Sequence, residues 1–185
     1  MNFLFNKYSH FNLANIVTFF NIASGIFAIY FLTHNQFFAA ALFAWLAGAF
    51  DIFDGKIARK YNLSTEFGIQ LDSYADFLSF VIVPAMFIYF AIFDGKEEFF
   101  NMALVAAAFI YYIISGLRRL IQFNLNAEEG EVEKYFTGVP TPLGAILLWV
   151  VYLVYLTGFV HEYFVLGMMV IIGFLLNSKV KIKHL

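Results

Sequence analysis

The sequence predicts an all-α, polytopic membrane protein with six transmembrane helices and both termini in the cytoplasm. Three observations lead to this fold class. First, apolar types make up 62% of the 185 residues, and Lys, Arg, Asp and Glu only 13%. Soluble domains use about 25% charged residues, so this chain has about half the charge that a soluble surface needs. Second, charge-free stretches have the length of membrane spans. Third, Lys and Arg concentrate in alternate loops.

Charge-free stretches locate the helices, because a span needs about 20 mostly apolar residues. The first two helices, at about 12–33 and 37–60, are divided by the polar stretch 33–36. Asp94-Gly95 and Thr157-Gly158 are typical of turns between later helices. The remaining apolar stretches predict helices at about 68–93, 99–124, 141–157 and 160–177, the last of which is short for a span.

The positions of the basic residues indicate which side of the membrane the loops and termini face. Six helices place both termini, the second loop and the fourth loop on one side of the membrane. That side holds ten of the eleven Lys and Arg residues, and the opposite side holds only Lys96. Positively charged loops are retained in the cytoplasm, so the chain is expected to be a multi-pass protein of the cell membrane with cytoplasmic termini.

Composition also limits the organisation and the function classes. Neither a Pro-rich nor a Gly-rich linker divides the chain, so we expect a single membrane domain over residues 1–185. The formal net charge of −2 argues against a nucleic-acid partner, which requires a basic face. The absence of Cys excludes disulfides, thiolate metal sites and a Cys nucleophile.

Four carboxylates lie near the cytoplasmic ends of the second and third helices. Asp51 and Asp54 are spaced i,i+3, and Asp72 and Asp76 are spaced i,i+4, so each pair occupies one helix face. In an antiparallel hairpin, Asp51 lies at the depth of Asp76, and Asp54 lies at the depth of Asp72. We therefore expect all four carboxylates to converge within about one turn of depth.

Such a cluster is costly within a membrane and usually marks function. Asp51 lies nine residues, or roughly 13 Å, deeper than Lys60. Clustered carboxylates either share protons or bind cations. An all-oxygen site suits Mg²⁺, Mn²⁺ or Ca²⁺, and four carboxylates suffice for two divalent cations.

The stretch that carries these aspartates resembles the signature of the CDP-alcohol phosphotransferase family. Eight matching positions fall within 26 residues: Asp51, Asp54, Gly55, Ala58, Arg59, Gly68, Asp72 and Asp76. The resemblance implies a six-helix membrane enzyme that transfers a phosphatidyl or related group from a CDP-linked donor to an alcohol and releases CMP. It also implies a homodimer.

The resemblance further implies residue roles. The four aspartates would hold two divalent metals, and Asp76 would also serve as the general base for the acceptor alcohol. Gly55, Arg59 and Thr65 would contact the CDP moiety. The small Ala58 and Gly68 would let the CDP-lipid approach closely. Four residues, Asn15, Thr18, Asn21 and Gly25, resemble the first-helix pattern of the phosphatidylserine synthase subfamily. Of these, Asn15 and Thr18 are assigned to CDP-lipid binding.

Two further segments point to serine as the acceptor. Residues 119–124 (RLIQFN) resemble that subfamily's Arg-Leu-Ala-Arg-Phe-Asn segment, with Ile121 and Gln122 as departures. Residues 136–145 match its Phe-x-Gly-x-Pro-x-Pro-x-x-Ala segment at all five fixed positions. Arg118 and Arg119 are candidates to bind the serine carboxylate or the lipid phosphate.

The expected function is transfer of the phosphatidyl or archaetidyl group of CDP-diacylglycerol or CDP-archaeol to L-serine. Three alternatives remain open at this stage. A polyol phosphate could be the acceptor in the same chemistry, although it would require more basic residues near the metals. The aspartates could form the ion path of a cation carrier, or the chain could be purely structural.

Overall fold

The computed structural model describes residues 3–95, 99–128, 135–178 and 181–183. Within these residues the chain forms six long helices, which agree with the predicted ones to within about four residues at each end. They are α1 (Leu13–Thr33), α2 (Phe37–Lys60), α3 (Glu66–Phe93), α4 (Phe99–Glu128), α5 (Thr141–Leu156) and α6 (Glu162–Leu176). A short 3₁₀ helix, Phe3–Phe5, precedes α1.

Four of these helices are long and apolar enough to cross a membrane: α1, α2, α3 and the Met102–Leu125 part of α4. Helices α5 and α6 are apolar but have only 16 and 15 residues. At 1.5 Å per residue they measure about 24 Å, less than the roughly 30 Å hydrocarbon core of a bilayer. The all-helical fold and a membrane location are thus supported, whereas six spans and cytoplasmic termini stay predictions. Lys96, on which the orientation partly depends, lies outside the described residues.

The helix ends follow local sequence signals. Asn12 caps α1, because its side-chain Oδ1 accepts a hydrogen bond from the Asn15 backbone N–H at 3.0 Å. Thr65 caps α3 through the Gly68 N–H in the same way. The predicted turns are confirmed: Gly95 and Gly158 adopt φ of 77° and 76°, which glycine tolerates without a steric penalty.

The chain divides into two compact units, the first ending at Ser79 and the second beginning at Phe80. The first contains α1, α2 and the start of α3. In it α1 packs along α2, and α3 packs against both helices. Many large apolar side chains of α1 and α2 remain exposed, among them Phe20, Phe38 and Trp45. Continuous apolar surface of this kind is typical of a lipid-facing helix rather than of a soluble monomer.

In the second unit, α4, α5 and α6 pack together. Two three-residue strands, β1 (Tyr135–Thr137) and β2 (Lys181–Lys183), pair antiparallel, which the sequence did not predict. In an α-helix the Phe80 carbonyl would accept a hydrogen bond from the N–H of residue 84. That residue is Pro84, which has no N–H. The buried Tyr112 hydroxyl donates to that carbonyl at 3.4 Å instead. Helix α3 also contains π-helical segments, one of which, Phe77–Ile82, ends just before this proline.

Candidate active site

The carboxylates converge at the hairpin of α2 and α3. Carboxylate oxygens of Asp51, Asp72 and Asp76 lie within 4.8 Å of one another. This confirms the expected meeting of the two helix faces, because the short connection at 61–65 forces α3 back along α2. We refer to these three residues as the aspartate cluster.

Asp54, the fourth of the carboxylates expected to converge, lies beside the aspartate cluster. It does not belong to the aspartate cluster, and it instead lines a neighbouring cavity together with Asp72. Its side chain is 3% exposed, and neither of its carboxylate oxygens has a hydrogen-bond partner. The i,i+3 spacing predicts that Asp51 and Asp54 share a face of α2. It does not predict how α2 is rotated about its axis, and that rotation turns Asp54 toward α1 and the cavity.

Arg59, which lines the same cavity, offsets only part of the negative charge in this region. Asp76 Oδ1 is also buried and unpartnered. Among residues 3–95, no lysine or arginine forms a salt bridge with any of the four aspartates. Buried carboxylate oxygens without partners are costly. A divalent cation supplies the missing charge, and its preference for hard oxygen ligands fits this donor set.

A cavity of about 210 Å³ opens beside the aspartate cluster. It is bounded by α1, α2, the start of α3 and the connection between α2 and α3. All seven residues assigned to the CDP-lipid line it: Asn15, Thr18, Gly55, Ala58, Arg59, Thr65 and Gly68. Asp54 and Asp72 line the same cavity. The residues predicted for nucleotide binding and two of the predicted metal ligands therefore share one space.

Hydrogen bonds fix the α1 wall of this cavity. The Asn15 side-chain Nδ2 donates to the His10 carbonyl at 3.0 Å, and the Thr18 hydroxyl donates to the Ala14 carbonyl at 3.2 Å. Both side chains are buried, with exposures of 3% and 4%. Both bonds are made within residues 10–18, so they hold the two side chains without a ligand.

One glycine permits close approach at the cavity. A Cβ on Gly68 would lie 2.9 Å from Asn15 Oδ1, closer than two such atoms can come. A Cβ on Gly55 would make only an ordinary contact, 3.4 Å from the Arg59 Nη1. Packing therefore explains the glycine at position 68.

Sequence reasoning missed several residues of the site. Ala14, Leu63, Ser64 and Ile69 also line the cavity. The buried Asn12 supports it from behind, since its Nδ2 donates to the Leu63 carbonyl at 3.5 Å. The position of Asn12, just before an apolar helix, is a capping signal that could have identified it.

Arg118 and Arg119 belong to α4, in the second unit. Arg118 is exposed. Arg119 is buried, with 6% exposure, and its Nε donates to the Val139 carbonyl at 3.2 Å. This bond joins the two segments that carried the resemblance to serine-using enzymes. The roles of both arginines in substrate binding stay predictions.

Comparison with known proteins agrees with this geometry. Residues 11–176 match the sequence profile of the family described as CDP-alcohol phosphatidyltransferase. The chain belongs to the CDP-alcohol phosphatidyltransferase family. The resemblance found in the aspartate signature is therefore confirmed, and the chain is an enzyme of the phosphatidyltransferase class.

Its relatives include bacterial and archaeal proteins. A protein of Helicobacter pylori strain J99 named CDP-diacylglycerol–serine O-phosphatidyltransferase is 28% identical over 172 residues, which cover 90% of this chain and 70% of the relative. A Bacillus subtilis protein of the same name is 30% identical, covering 72% and 71%. The archaetidylserine synthase of Methanothermobacter thermautotrophicus is 31% identical, covering 91% and 68%.

Proposed function

We propose that this chain transfers the phosphatidyl or archaetidyl group of a CDP-linked lipid to the hydroxyl of L-serine and releases CMP. The observation that carries this proposal is the single cavity in which the family's nucleotide residues meet Asp54 and Asp72, beside the aspartate cluster. The names of the relatives support serine as the acceptor. The Helicobacter pylori relative is named for CDP-diacylglycerol and serine, and the Methanothermobacter thermautotrophicus relative is named archaetidylserine synthase.

The cavity offers distinct groups to each part of the donor. Arg59 supplies a guanidinium that can pair with a phosphate oxygen through two hydrogen bonds. Asn15 and Thr65 supply polar atoms at the α1 and α3 walls, and the small Gly55 and Gly68 leave the helix backbones accessible. We assign these residues, with Thr18 and Ala58, to CDP-lipid binding.

Asp51, Asp54, Asp72 and Asp76 would hold two divalent cations, Mg²⁺ or Mn²⁺, with Ca²⁺ as a further option. The unpartnered oxygens of Asp54 and Asp76 are the structural observation that fits this role. Bound cations would neutralise the pyrophosphate charge that grows as CMP departs. This fits the requirement for divalent metals that is general in the family.

The protein's own contribution to the chemistry centres on Asp76. The serine oxygen forms a bond to the lipid-side phosphorus, and the bond from that phosphorus to the oxygen bridging to CMP breaks. The serine hydroxyl proton passes to the Asp76 carboxylate, because an alcohol is a poor nucleophile until a base within hydrogen-bond reach accepts its proton. Asp54 and Asp72 line the cavity and would orient the donor through the cations that they hold.

Serine brings a carboxylate and an ammonium in addition to its hydroxyl. We assign Arg118 and Arg119 to the serine carboxylate or the lipid phosphate, since a guanidinium pairs well with either group. The basic residues of the predicted loops support an active site at the cytoplasmic face of the cell membrane, where CDP and serine are soluble and the lipid chains stay in the bilayer. We expect the protein to act as a homodimer.

An acceptor panel tests this function. Purified protein is supplied with CDP-diacylglycerol or CDP-archaeol, Mn²⁺ or Mg²⁺, and one of three acceptors: serine, glycerol phosphate or inositol phosphate. We expect CMP release that depends on serine. Release with a polyol phosphate instead would contradict the serine assignment and leave the family chemistry intact. Cation flux in liposomes that persists without a CDP-lipid and in Asp76→Asn would favour a carrier.

A further inference from the structure

The α1 wall of the cavity carries a hydrogen-bond acceptor whose orientation is fixed by the protein. The Asn15 side chain is 3% exposed and lines the cavity. Its Nδ2 donates to the His10 carbonyl at 3.0 Å, and because a carbonyl only accepts, the amide nitrogen must face His10. The His10 ring stacks on Phe67 of α3, with ring centroids 4.4 Å apart. Among the described residues none donates to Asn15 Oδ1, which is left as an acceptor.

A hydrogen-bond donor lies close to this acceptor, at the start of α3. Thr65 Oγ1 accepts the Gly68 N–H at 3.0 Å, which leaves the hydroxyl proton to be donated. A Cβ placed on Gly68 would lie 2.9 Å from Asn15 Oδ1 and 3.3 Å from Thr65 Oγ1. Both oxygens are therefore next to the bare Gly68 backbone, and all three residues line the cavity. A flat ligand that lies over Gly68 would meet an acceptor and a donor side by side.

This pair of groups complements one edge of cytosine. Cytosine has an exocyclic amine, which donates, next to the ring nitrogen N3, which accepts. Uracil has the reverse pattern, with a carbonyl in place of the amine and an N–H at N3. A uracil base in the same position would set its carbonyl against Asn15 Oδ1 and leave both protein groups unpaired. Buried polar groups that lose their partners penalise binding of the wrong ligand.

We propose that Asn15 and Thr65 recognise the base of the donor and select cytosine over uracil. Asn15 Oδ1 accepts a hydrogen bond from the exocyclic amine, and the Thr65 hydroxyl donates to N3. This inference rests on the proposed function, in which the donor is a CDP-linked lipid. Gly68 lies one helical turn, or about 6 Å, before Asp72 on α3. The ribose separates a base from its phosphates, so the base can lie over Gly68 while the pyrophosphate lies beside Asp72.

Binding of free nucleotides to the purified protein tests the proposal. Calorimetry in detergent with Mn²⁺ compares CDP, UDP and the diphosphate of the pyrimidin-2-one ribonucleoside, which keeps N3 but lacks the exocyclic amine. We expect CDP to bind about 5- to 150-fold more tightly than UDP. The analogue without the amine should also bind less tightly than CDP. Equal affinities for CDP and UDP, or for CDP and the analogue, would overturn the inference.

Variants assign the selectivity to the two residues. Asn15→Leu should lower the preference for CDP over UDP to less than about threefold, a ratio that a merely structural role would not change. Thr65→Val should lower the same ratio, and Thr65→Ser should restore it, because serine keeps the hydroxyl. Thr33→Val is the matched control, since the Thr33 hydroxyl donates to the Tyr30 carbonyl at the other end of α1.

A full CDP preference in Asn15→Leu would overturn the inference. Should that variant fail to fold, a full preference in folded Thr65→Val would overturn it equally. Failure of the proposed function gives a different result. A CDP preference without serine-dependent CMP release would contradict the function and leave the base recognition intact, whereas binding of neither nucleotide would contradict both.

Discussion

Replacement of Asp72 by Asn should raise the stability of the metal-free protein and abolish its stabilisation by Mn²⁺. Carboxylate oxygens of Asp51, Asp72 and Asp76 lie within 4.8 Å of one another. Two unit charges at that separation repel by about 3.5 kcal/mol at an effective dielectric constant of about 20. Asp72 takes part in two of the three pairs. The side chains are only partly buried, so screening by solvent leaves about 1–3 kcal/mol for Asp72→Asn.

Thermal unfolding in detergent measures both effects. For a chain of 150–250 residues, 1 kcal/mol shifts Tm by about 2–4 °C, so we expect metal-free Asp72→Asn to melt about 2–12 °C higher than wild type. Mn²⁺ at 100 times its Kd should stabilise wild type by about 2.7 kcal/mol and the variant far less. Asp94→Asn, at the exposed turn after α3, removes one negative charge elsewhere and should change neither quantity. A metal-free variant that melts below wild type, or one that keeps the full Mn²⁺ shift, would refute the reasoning.

Two further predictions concern the site. Asp76→Asn should abolish turnover while retaining CDP-lipid binding, whereas Asp51→Asn should weaken metal and nucleotide binding together. Calorimetric titration with CDP, in the presence and absence of Mn²⁺, distinguishes these two effects. Full activity in both variants would contradict the metal site. Gly68→Ala should weaken CDP binding and cost about 1–3 kcal/mol of stability, because its Cβ would lie 2.9 Å from Asn15 Oδ1. Gly167→Ala is the matched control, since its Cβ meets nothing within 4 Å and should stabilise the helix by about 0.5–1 kcal/mol. Equal behaviour of the two glycine variants would contradict the close approach.

The helices could be predicted from the sequence because their limits are set by local chemistry. A charge-free stretch long enough to span a bilayer, ended by a glycine turn such as that at Gly95, fixes a helix without knowledge of its neighbours. The meeting of Asp51 with Asp76 was predictable for a related reason. A short connection between two helices forces them into an antiparallel hairpin, which determines their relative depth.

The remainder of the site depends on contacts between elements that are distant in sequence. Helix periodicity placed Asp54 on the face of Asp51 but did not show that the rotation of α2 directs it into the cavity. The parallel register of α1 and α3, which brings Asn21 to Ser79, is set by side-chain packing and has no local signal. The pairing of β1 with β2 likewise joins segments more than 40 residues apart.

The measurement that tests the central claim most directly traces the serine oxygen. Purified protein in liposomes with CDP-diacylglycerol and Mn²⁺ is given serine labelled with ¹⁸O in its hydroxyl group, and the lipid and nucleotide products are analysed by mass spectrometry. We predict a serine phospholipid that carries the label, formed in equal amount with unlabelled CMP. CMP release without a labelled serine lipid would contradict it.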